Sequence, residues 1–348
     1  MISIAHVMDD MGMGGVTRAL TLFDEPQITS KARSEIVTTR PDARLAPKLS
    51  ADLIVDHSTF SWARLPFLLS LRARNPQARL VHVEHSYTRA FEQGEVGSKR
   101  RFRALLRFAS GLFDDVVCVS NAQREWLADD VGIARAKLRV IYPWTDRTSL
   151  FTMPLTQPRK SGPINLLAYG RYAKVKNFAA LIQAMRAFEP YEARLTVFGD
   201  GPDRDALERL ASDLPHVEVH GPSSDPAPYL KACDAVIVPS LYEAFGLVAT
   251  EARMAARPVI AANVDGLPEQ ASEGGCAFPM DNAAQIAEAI HWAINADIAP
   301  MGLAARGGVE GQHAQILQRW TRLIEEVESA RDCAKTKQDD LVGEELLA

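Results

Sequence analysis

Two glutamates, Glu243 and Glu251, stand eight positions apart where a loop meets a predicted helix. A carboxylate accepts two hydrogen bonds, which suits the vicinal hydroxyls of a sugar or a ribose. Gly246 lies between them at the predicted helix start, where free N–H groups and the helix dipole favour an anion. The spacing predicts a phosphate seat flanked by two hydroxyl-binding carboxylates. The alternative is a pair of solvated glutamates on an ordinary amphipathic helix.

The elements around this pair form a strand–loop–helix–strand unit. Ala235 to Val238 is a short apolar run typical of a strand buried on both faces, and Pro239 closes it. Helical spacing runs from Leu247 to Ala256, and a second apolar strand begins at Val259. Such a unit predicts a parallel sheet in an α/β domain.

The stretch PSLYEAFGLVATEA, followed by PVIA and GLPE, resembles the donor-binding motif of glycosyltransferase family 4. Glu243 and Glu251 match the glutamate pair of that family, and Phe245, Gly246 and Leu247 fall within its pattern. The resemblance implies two doubly wound Rossmann-like domains facing across a cleft, the GT-B fold. It also implies a retaining sugar transfer from a nucleotide sugar, UDP- or GDP-linked, without cofactor or metal.

A basic pair and two glycines extend the resemblance through the second half of the chain. Arg171 and Lys176, in Gly-Arg-x4-Lys, match the family's cations at the donor diphosphate. Fixed cations stabilise a leaving diphosphate as its negative charge grows, although exposed basic residues near turns are often only solvated. Gly199 and Gly201 match a family signature in which backbone lies close to the nucleotide. Asp203, in a metal-like Asp-x-Asp, is interpreted as a helix cap.

The first half supplies a glycine pair and two histidines. Gly14 and Gly15 follow the first predicted strand and open a helix, which resembles the family's helix facing the donor diphosphate or the acceptor. A dinucleotide fingerprint is disfavoured because the second strand ends without an acidic residue for the ribose. His85 stands where many family members carry a histidine beside the donor sugar, and a loop histidine without a role is the alternative. His57, which ends a neighbouring strand, is a weaker candidate.

Composition and charge describe a globular protein with two unlike halves. The 348 residues are 47% hydrophobic and 24% charged, and the four cysteines have no paired spacing, which suits a reducing compartment. Residues 1–150 hold 21 Lys/Arg against 17 Asp/Glu, whereas the remainder holds 18 against 27. No signal peptide or membrane-length apolar run is recognisable, so we expect a cytoplasmic protein.

A basic amphipathic helix is predicted over residues 98–110, with Phe102 and Leu105 on its apolar stripe. One interpretation is a surface helix that packs this stripe on the sheet. The other is contact with the anionic inner face of a membrane. The cations concerned are Lys99, Arg100, Arg101, Arg103 and Arg107.

The predicted organisation is an N-terminal acceptor-side domain over residues 1–146 and a linker over 147–163. A nucleotide-sugar-binding domain follows over 164–311, then a helix over 312–330 that crosses back to the first domain, and a polar, frayed tail over 331–348. The function expected from the resemblance is transfer of a sugar to a glycan or lipid-linked acceptor in cell-surface polysaccharide or glycolipid synthesis. The alternatives are a nucleotide-sugar epimerase or phosphorylase on a related scaffold, or a catalytically silent nucleotide-sugar binding protein.

Overall fold

Each half of the chain folds around its own parallel six-stranded sheet, in a computed structural model that describes residues 1–9, 15–157 and 161–345. The strands of the first sheet are β1 (Ile2–Met8), β2 (Ala32–Thr38), β3 (Leu53–Asp56), β4 (Arg79–Glu84), β5 (Asp115–Cys118) and β6 (Leu138–Val140). The strands of the second are β7 (Ile164–Arg171), β8 (Ala193–Asp200), β9 (Val217–His220), β10 (Ala235–Val238), β11 (Val259–Ala262) and β12 (Gly275–Phe278).

Helices connect the strands and cover both faces of each sheet. Those of the first half are α1 (Gly15–Ala19), α2 (Pro26–Thr29), α3 (Leu65–Arg74), α4 (Arg89–Glu95), α5 (Lys99–Gly111) and α6 (Asn121–Glu125), which continues as a π-helical turn over Trp126–Val131. Those of the second half are α7 (Phe178–Ala184), α8 (Arg204–Ala211), α9 (Ala227–Ala232), α10 (Leu247–Met254), α11 (Leu267–Ala271), α12 (Ala283–Asn295), α13 (Ile298–Gly307) and α14 (Gln312–Glu345). Short 3-10 turns occupy Leu20–Asp24, Arg135–Lys137, Thr148–Thr152, Lys174–Lys176 and Met185–Ala187.

The strand orders make both domains doubly wound, as the sequence predicted. The first sheet runs β2-β1-β3-β4-β5-β6 and the second β12-β11-β10-β7-β8-β9, with parallel pairing throughout. In the second sheet the order reverses between β7 and β10, and ligands of such sheets bind at the carboxyl ends of strands at this point. The segments that follow these two strand ends carry Lys176 and Glu243.

The C-terminal helix α14 lies against the first domain. Its apolar side chains Leu323 and Ile324 belong to the same buried core as Ile2 and Ile28, and the Trp320 ring centroid lies 5.0 Å from that of Phe23. The sequence predicted a frayed tail from residue 331, but helix continues to Glu345. Residues 331–342 contain neither glycine nor proline and are rich in good helix formers, which explains the extension. No helix in the described part of the chain is both long and apolar enough to cross a membrane.

Asp203 corrects another detail of the predictions. It occupies the N-cap position of α8, as expected, but its side chain makes no capping hydrogen bond. The turn is held instead by backbone bonds, in which Asp203 N–H donates to the Tyr172 carbonyl at 3.1 Å and Arg204 N–H to that of Gly201 at 3.2 Å. The start of this helix is therefore fixed by the preceding Gly-Pro turn.

Candidate active site

An open cleft of about 1760 Å³, counting its open mouth, lies between the two domains. Most residues that the sequence singled out line it together: His85, Arg171, Lys176, Gly199, Glu243, Phe245, Gly246, Leu247 and Glu251. Gly15 begins α1, and Gly14 lies outside the described residues. Gly201 is not among the cleft-lining residues. Side chains separated by up to 166 positions in sequence, from His85 to Glu251, thus share one concave surface.

Glu243 and Lys176, predicted from separate motifs, are in direct contact. The Lys176 ammonium donates a hydrogen bond to Glu243 Oε2, and Ser240 Oγ donates to the same oxygen at 3.4 Å. Lys176 ends the 3-10 turn after β7, and Asn177 follows with a left-handed φ of 57°. The tight turn brings the lysine beside the loop that precedes α10.

The N-terminus of α10 opens onto the cleft at Gly246, which has a φ of +92°. This left-handed backbone conformation favours glycine, and an added Cβ would also displace the Leu267 side chain, whose Cδ2 would lie 2.7 Å away. The first N–H groups of α10 have no partner within the helix, and its dipole favours negative charge at this end. Lys176, Arg171 and this end of the helix line the same cleft, and anion binding there stays a prediction.

Glu251 is buried at the base of the cleft, in the second turn of α10. Its carboxylate accepts a hydrogen bond from the Tyr169 hydroxyl at 2.8 Å and another from Thr145 Oγ1 at 3.3 Å. Arg147 and Arg18 approach its Oε1 at 3.4 Å and 3.6 Å. Burial, and after it the Glu251 charge, raises the pKa of Tyr169, so its hydroxyl remains a donor. The carboxylate is therefore oriented by two hydroxyl donors and faces two guanidinium groups.

Tyr169, Arg18 and Arg147 are site residues that sequence reasoning missed. Tyr169 directly precedes the Gly-Arg of the basic pair, Arg18 lies three residues after the glycine pair, and Arg147 opens the segment interpreted as the linker. Their proximity to motifs that were recognised was the available signal. The sequence could not show where these side chains point, because only the packed domains bring all three to Glu251.

Arg171 and Gly199 mark the carboxyl ends of two paired strands. Arg171 pairs with Asp200 and Gly170 with Gly199, so the strand ends lie side by side at the cleft. A Cβ on Gly199 would lie 1.9 Å from the Gly170 carbonyl oxygen, which requires glycine. Here the glycine allows close approach of neighbouring backbone, and its contact with a nucleotide stays a prediction.

From the first domain, His85 faces the cleft, and His57 stands behind it. His57 Nδ1 lies 3.0 Å from His85 Nε2, and their rings are stacked with centroids 5.3 Å apart. His57 lines a small apolar cavity with Phe23, Trp144 and Trp320, not the main cleft. The weaker sequence candidate is thus a neighbour of the stronger one.

Helix α5 packs its apolar stripe on the first domain, with Leu105 and Leu106 buried. Arg103 is engaged within the protein, because its guanidinium pairs with Glu92 at 2.5 Å and 2.8 Å. The guanidinium of Arg101 lies 5.4 Å from the Trp62 ring centroid. The remaining cations of the helix, Lys99, Arg100 and Arg107, are exposed.

Two carboxylates of the second domain hold the first domain across the cleft. Glu269 accepts hydrogen bonds from the backbone N–H of Asn121 (3.1 Å) and of Ala122 (2.8 Å) at the start of α6, and from the Tyr142 hydroxyl at 2.7 Å. Asp265 accepts from the backbone N–H of Ala90 at 3.0 Å, at the start of α4, and burial raises its pKa. These contacts fix the distance between the His85 side and the Glu243 side of the cleft.

Two domains of this topology, with a C-terminal helix returning to the first, define the GT-B fold. Anabaena HepE, solved in complex with UDP and glucose, superposes with a TM-score of 0.71 at 18% identity, covering 93% of this chain and 100% of that one. The fold predicted from the sequence is therefore confirmed.

Family comparisons agree with the fold. The family described as "Glycosyltransferase Family 4" matches residues 26–149, and that described as "Glycosyl transferases group 1" matches residues 163–296. The chain belongs to glycosyltransferase family 4, as the motifs in its sequence indicated.

Curated relatives match parts of the chain. An uncharacterized glycosyltransferase of Methanocaldococcus jannaschii is 32% identical over 169 residues, 44% of this chain and 43% of that protein. The lipopolysaccharide core biosynthesis glycosyltransferase LpsD of Rhizobium meliloti is 35% identical over 104 residues, 29% of this chain and 30% of that protein. The chain spans about half the length of the curated relatives it matches.

Proposed function

We propose that the protein is a retaining glycosyltransferase that moves a sugar from a UDP- or GDP-linked donor to a glycan or lipid-linked acceptor. The observation that carries the proposal is the meeting of Lys176, Arg171 and Glu243 at the open N-terminus of α10. A seat with two cations and free N–H groups suits a diphosphate, and a carboxylate beside it suits sugar hydroxyls. The presence of UDP and glucose in the HepE structure supports the same class of donor.

The chemistry follows from the charges around the seat. As the bond between the anomeric carbon and the diphosphate breaks, the leaving oxygens gain negative charge that Arg171, Lys176 and the start of α10 stabilise. The acceptor hydroxyl forms the new bond on the same face of the sugar, and its proton passes to the departing phosphate oxygen. No side-chain nucleophile is required, so the protein contributes positioning and electrostatic stabilisation. Glu251 binds the ribose, Glu243 the sugar, and His85 contributes from the facing domain.

A donor panel tests this function. Thermal shift with UDP-, GDP- and ADP-sugars identifies the donor, since a bound ligand raises the melting temperature by mass action. With that donor, Lys176→Ala should lose roughly 10²–10³ in turnover, the scale of one preorganised charge contact. The matched control is Lys174→Ala, an exposed lysine of the same 3-10 turn that does not line the cleft. Equal turnover in the two variants would remove Lys176 from the diphosphate seat.

Product analysis separates the alternative reactions. Release of a free epimer, or of a sugar phosphate when phosphate is supplied, would indicate an epimerase or phosphorylase on the same fold. Donor binding without any of these products, over a broad set of acceptors, would indicate a silent binding protein. Transfer to an acceptor with retained anomeric configuration, observed by NMR, is the outcome that the proposal requires.

The acceptor side of the proposal concerns the inner face of a membrane. LpsD acts in lipopolysaccharide core biosynthesis by its name, and the first domain here is net positive whereas the second is net negative. The exposed cations Lys99, Arg100 and Arg107, with Arg101 beside half-exposed Trp62, form a basic surface with an aromatic side chain. Each basic residue near an anionic surface contributes about 1 kcal/mol, so several together bind reversibly.

Vesicle sedimentation tests this surface. Arg103 is unsuitable for charge reversal because it pairs with Glu92 inside the domain. The informative variant changes Arg100 and Arg101 to Glu, and the control changes exposed Arg194 and Lys231 of the second domain to Glu. At low salt we expect the wild type and the control, but not the variant, to sediment with anionic phospholipid vesicles. Equal behaviour of all three would point to a soluble acceptor.

A further inference from the structure

Three histidines of the first domain form a continuous hydrogen-bonded chain that leads from the sheet to the cleft. His6 on β1 is 3.0 Å from His57 through its Nδ1 and the Nε2 of His57. His57 Nδ1 is in turn 3.0 Å from His85 Nε2. The rings stack in sequence, with centroids 5.3 Å apart at each step. His85 alone of the three lines the main cleft.

The hydrogen bond to His57 leaves His85 only one ring nitrogen for a ligand. Its Nε2 is used by His57, its Nδ1 has no hydrogen-bond partner among the described residues, and the residue itself lines the cleft. A neutral imidazole carries one proton, so one of its nitrogens donates and the other accepts. Whether His85 offers the ligand a donor or an acceptor therefore depends on the direction in which the whole chain donates.

The buried end of the chain decides that direction. His6 is 1% exposed, and its Nε2 has no hydrogen-bond partner among the described residues. If His85 donated inward, this nitrogen would carry a buried N–H without an acceptor. If His6 donates outward, it holds only an unused lone pair, and buried N–H groups without partners are the rarer defect. Outward donation places the proton on Nδ1 of His6, His57 and His85 alike.

Burial supports the neutral state that this reasoning requires. It lowers the pKa of His6 to about 3 and that of His85 to about 4. Burial, followed by the charges of the neighbouring histidines, lowers the pKa of His57 as well. At neutral pH the three rings can therefore exchange only neutral N–H···N hydrogen bonds.

We propose that His57 and His6 are positioning residues that fix His85 as a neutral Nδ1–H donor toward an oxygen atom of the sugar or phosphate in the cleft. Such a histidine cannot remove a proton from the acceptor, because its remaining nitrogen already accepts from His57. This inference rests on the proposed glycosyl transfer, in which the leaving phosphate takes the proton and no basic side chain is needed. The residues behind His85 thus determine its role.

The first test reads the tautomers directly and needs no substrate. Long-range ¹⁵N–¹H NMR spectra of histidine-labelled protein distinguish Nδ1–H from Nε2–H rings, and His6→Asn, His57→Asn and His85→Asn variants assign the signals. We expect the proton on Nδ1 in all three rings. A proton on Nε2 of His57 or His85, or a doubly protonated ring at neutral pH, would overturn the proposal.

The second test separates positioning from packing. In His57→Asn the amide N–H₂ stands near the former Nδ1–H and can still donate to His85, whereas His57→Leu fills the space without a donor. We expect His57→Leu to lower kcat about tenfold with little change in KM for the donor, the scale of one hydrogen bond. His57→Asn should recover most of this loss. Equal kcat in the leucine variant and the wild type would overturn the proposal, and absence of any transfer in the wild type would instead refute the proposed function.

Discussion

Removing the Glu269 carboxylate should open the two domains. Glu269 receives two backbone N–H groups of α6, the Asn121 side-chain amide and the Tyr142 hydroxyl, all at 2.7–3.1 Å. A hydrogen bond to a charged group contributes roughly 1.5–3 kcal/mol, and a negative charge at a helix N-terminus adds about 0.3–1 kcal/mol. Because water replaces several of these bonds when the domains separate, we take the net effect as about 2–4 kcal/mol.

This free energy translates into a large change in domain closure. Since about 1.4 kcal/mol is a factor of ten, Glu269→Ala should reduce the closed-to-open ratio roughly 30- to 700-fold. The open form separates His85 from Glu243, so kcat/KM for the nucleotide sugar should fall at least about tenfold once open molecules predominate. Affinity for the bare nucleotide should change much less, because Lys176, Arg171 and α10 all belong to the second domain.

Small-angle X-ray scattering provides the structural readout. We expect a larger radius of gyration for Glu269→Ala than for the wild type, with the difference reduced when donor is added. The matched control is Glu273→Ala, since this carboxylate follows the same helix but is 60% exposed and lies 3.9 Å from Arg253. An unchanged radius of gyration together with an unchanged kcat/KM in Glu269→Ala would refute the reasoning.

The remaining predictions concern single side chains. Tyr169→Phe removes the 2.8 Å hydrogen bond to Glu251, so nucleoside diphosphate affinity measured by calorimetry should fall about tenfold. Unchanged affinity would contradict the assignment of Glu251 to the ribose. Glu243→Ala should reduce use of the nucleotide sugar more than binding of the bare nucleotide, and equal losses would move Glu243 away from the sugar. Burial opposes the charged form of His82, but the hydrogen bonds and negative charges of Asp56 and Glu84 together outweigh it and raise the pKa to about 9. Its stabilisation is complete below about pH 6.5 and lost as pH rises through about 9, so urea unfolding should show about 2–3 kcal/mol less stability at pH 9.5 than at pH 7, a difference that His82→Asn lacks.

The fold could be predicted because its signals are local. Apolar runs such as Ala235 to Val238, followed by helical spacing from Leu247, repeat along both halves and specify parallel strands joined by helices. Gly246 could be assigned to a helix start because the conformation needed there is one that glycine favours. The end of α14 was misjudged because polar composition was read as fraying, although residues 331–342 lack any helix-breaking residue.

The cleft residues of the second domain could be predicted only as far as their motifs are contiguous. Glu243, Gly246 and Glu251 lie within one strand–loop–helix unit, and Arg171 and Lys176 lie within one Gly-Arg-x4-Lys motif, so each group could be found by spacing together with its resemblance to the family. The approach of Lys176 to Glu243 depends on the reversal of strand order between β7 and β10, which the sequence does not state. Tyr169 and the two arginines near Glu251 were missed for the same reason.

The contacts between the domains explain why the first-domain side of the cleft was the hardest part to predict from the sequence. Glu269 is recognisable in the sequence as the end of GLPE, yet its carboxylate accepts a hydrogen bond from the backbone N–H of Ala122 in α6, 147 residues away along the chain. His6, on β1, has the pattern of an ordinary strand residue, yet two successive 3.0 Å hydrogen bonds connect it to His85, which lines the cleft. Each of these side chains acts on a group that another domain or another strand presents. If closure by Glu269 and the tautomer of His85 are both required, the same enzyme with Glu269→Ala should retain its histidine tautomers while losing transfer. The NMR and kinetic measurements on that single variant would then distinguish the effect of domain closure from the effect of the His85 tautomer.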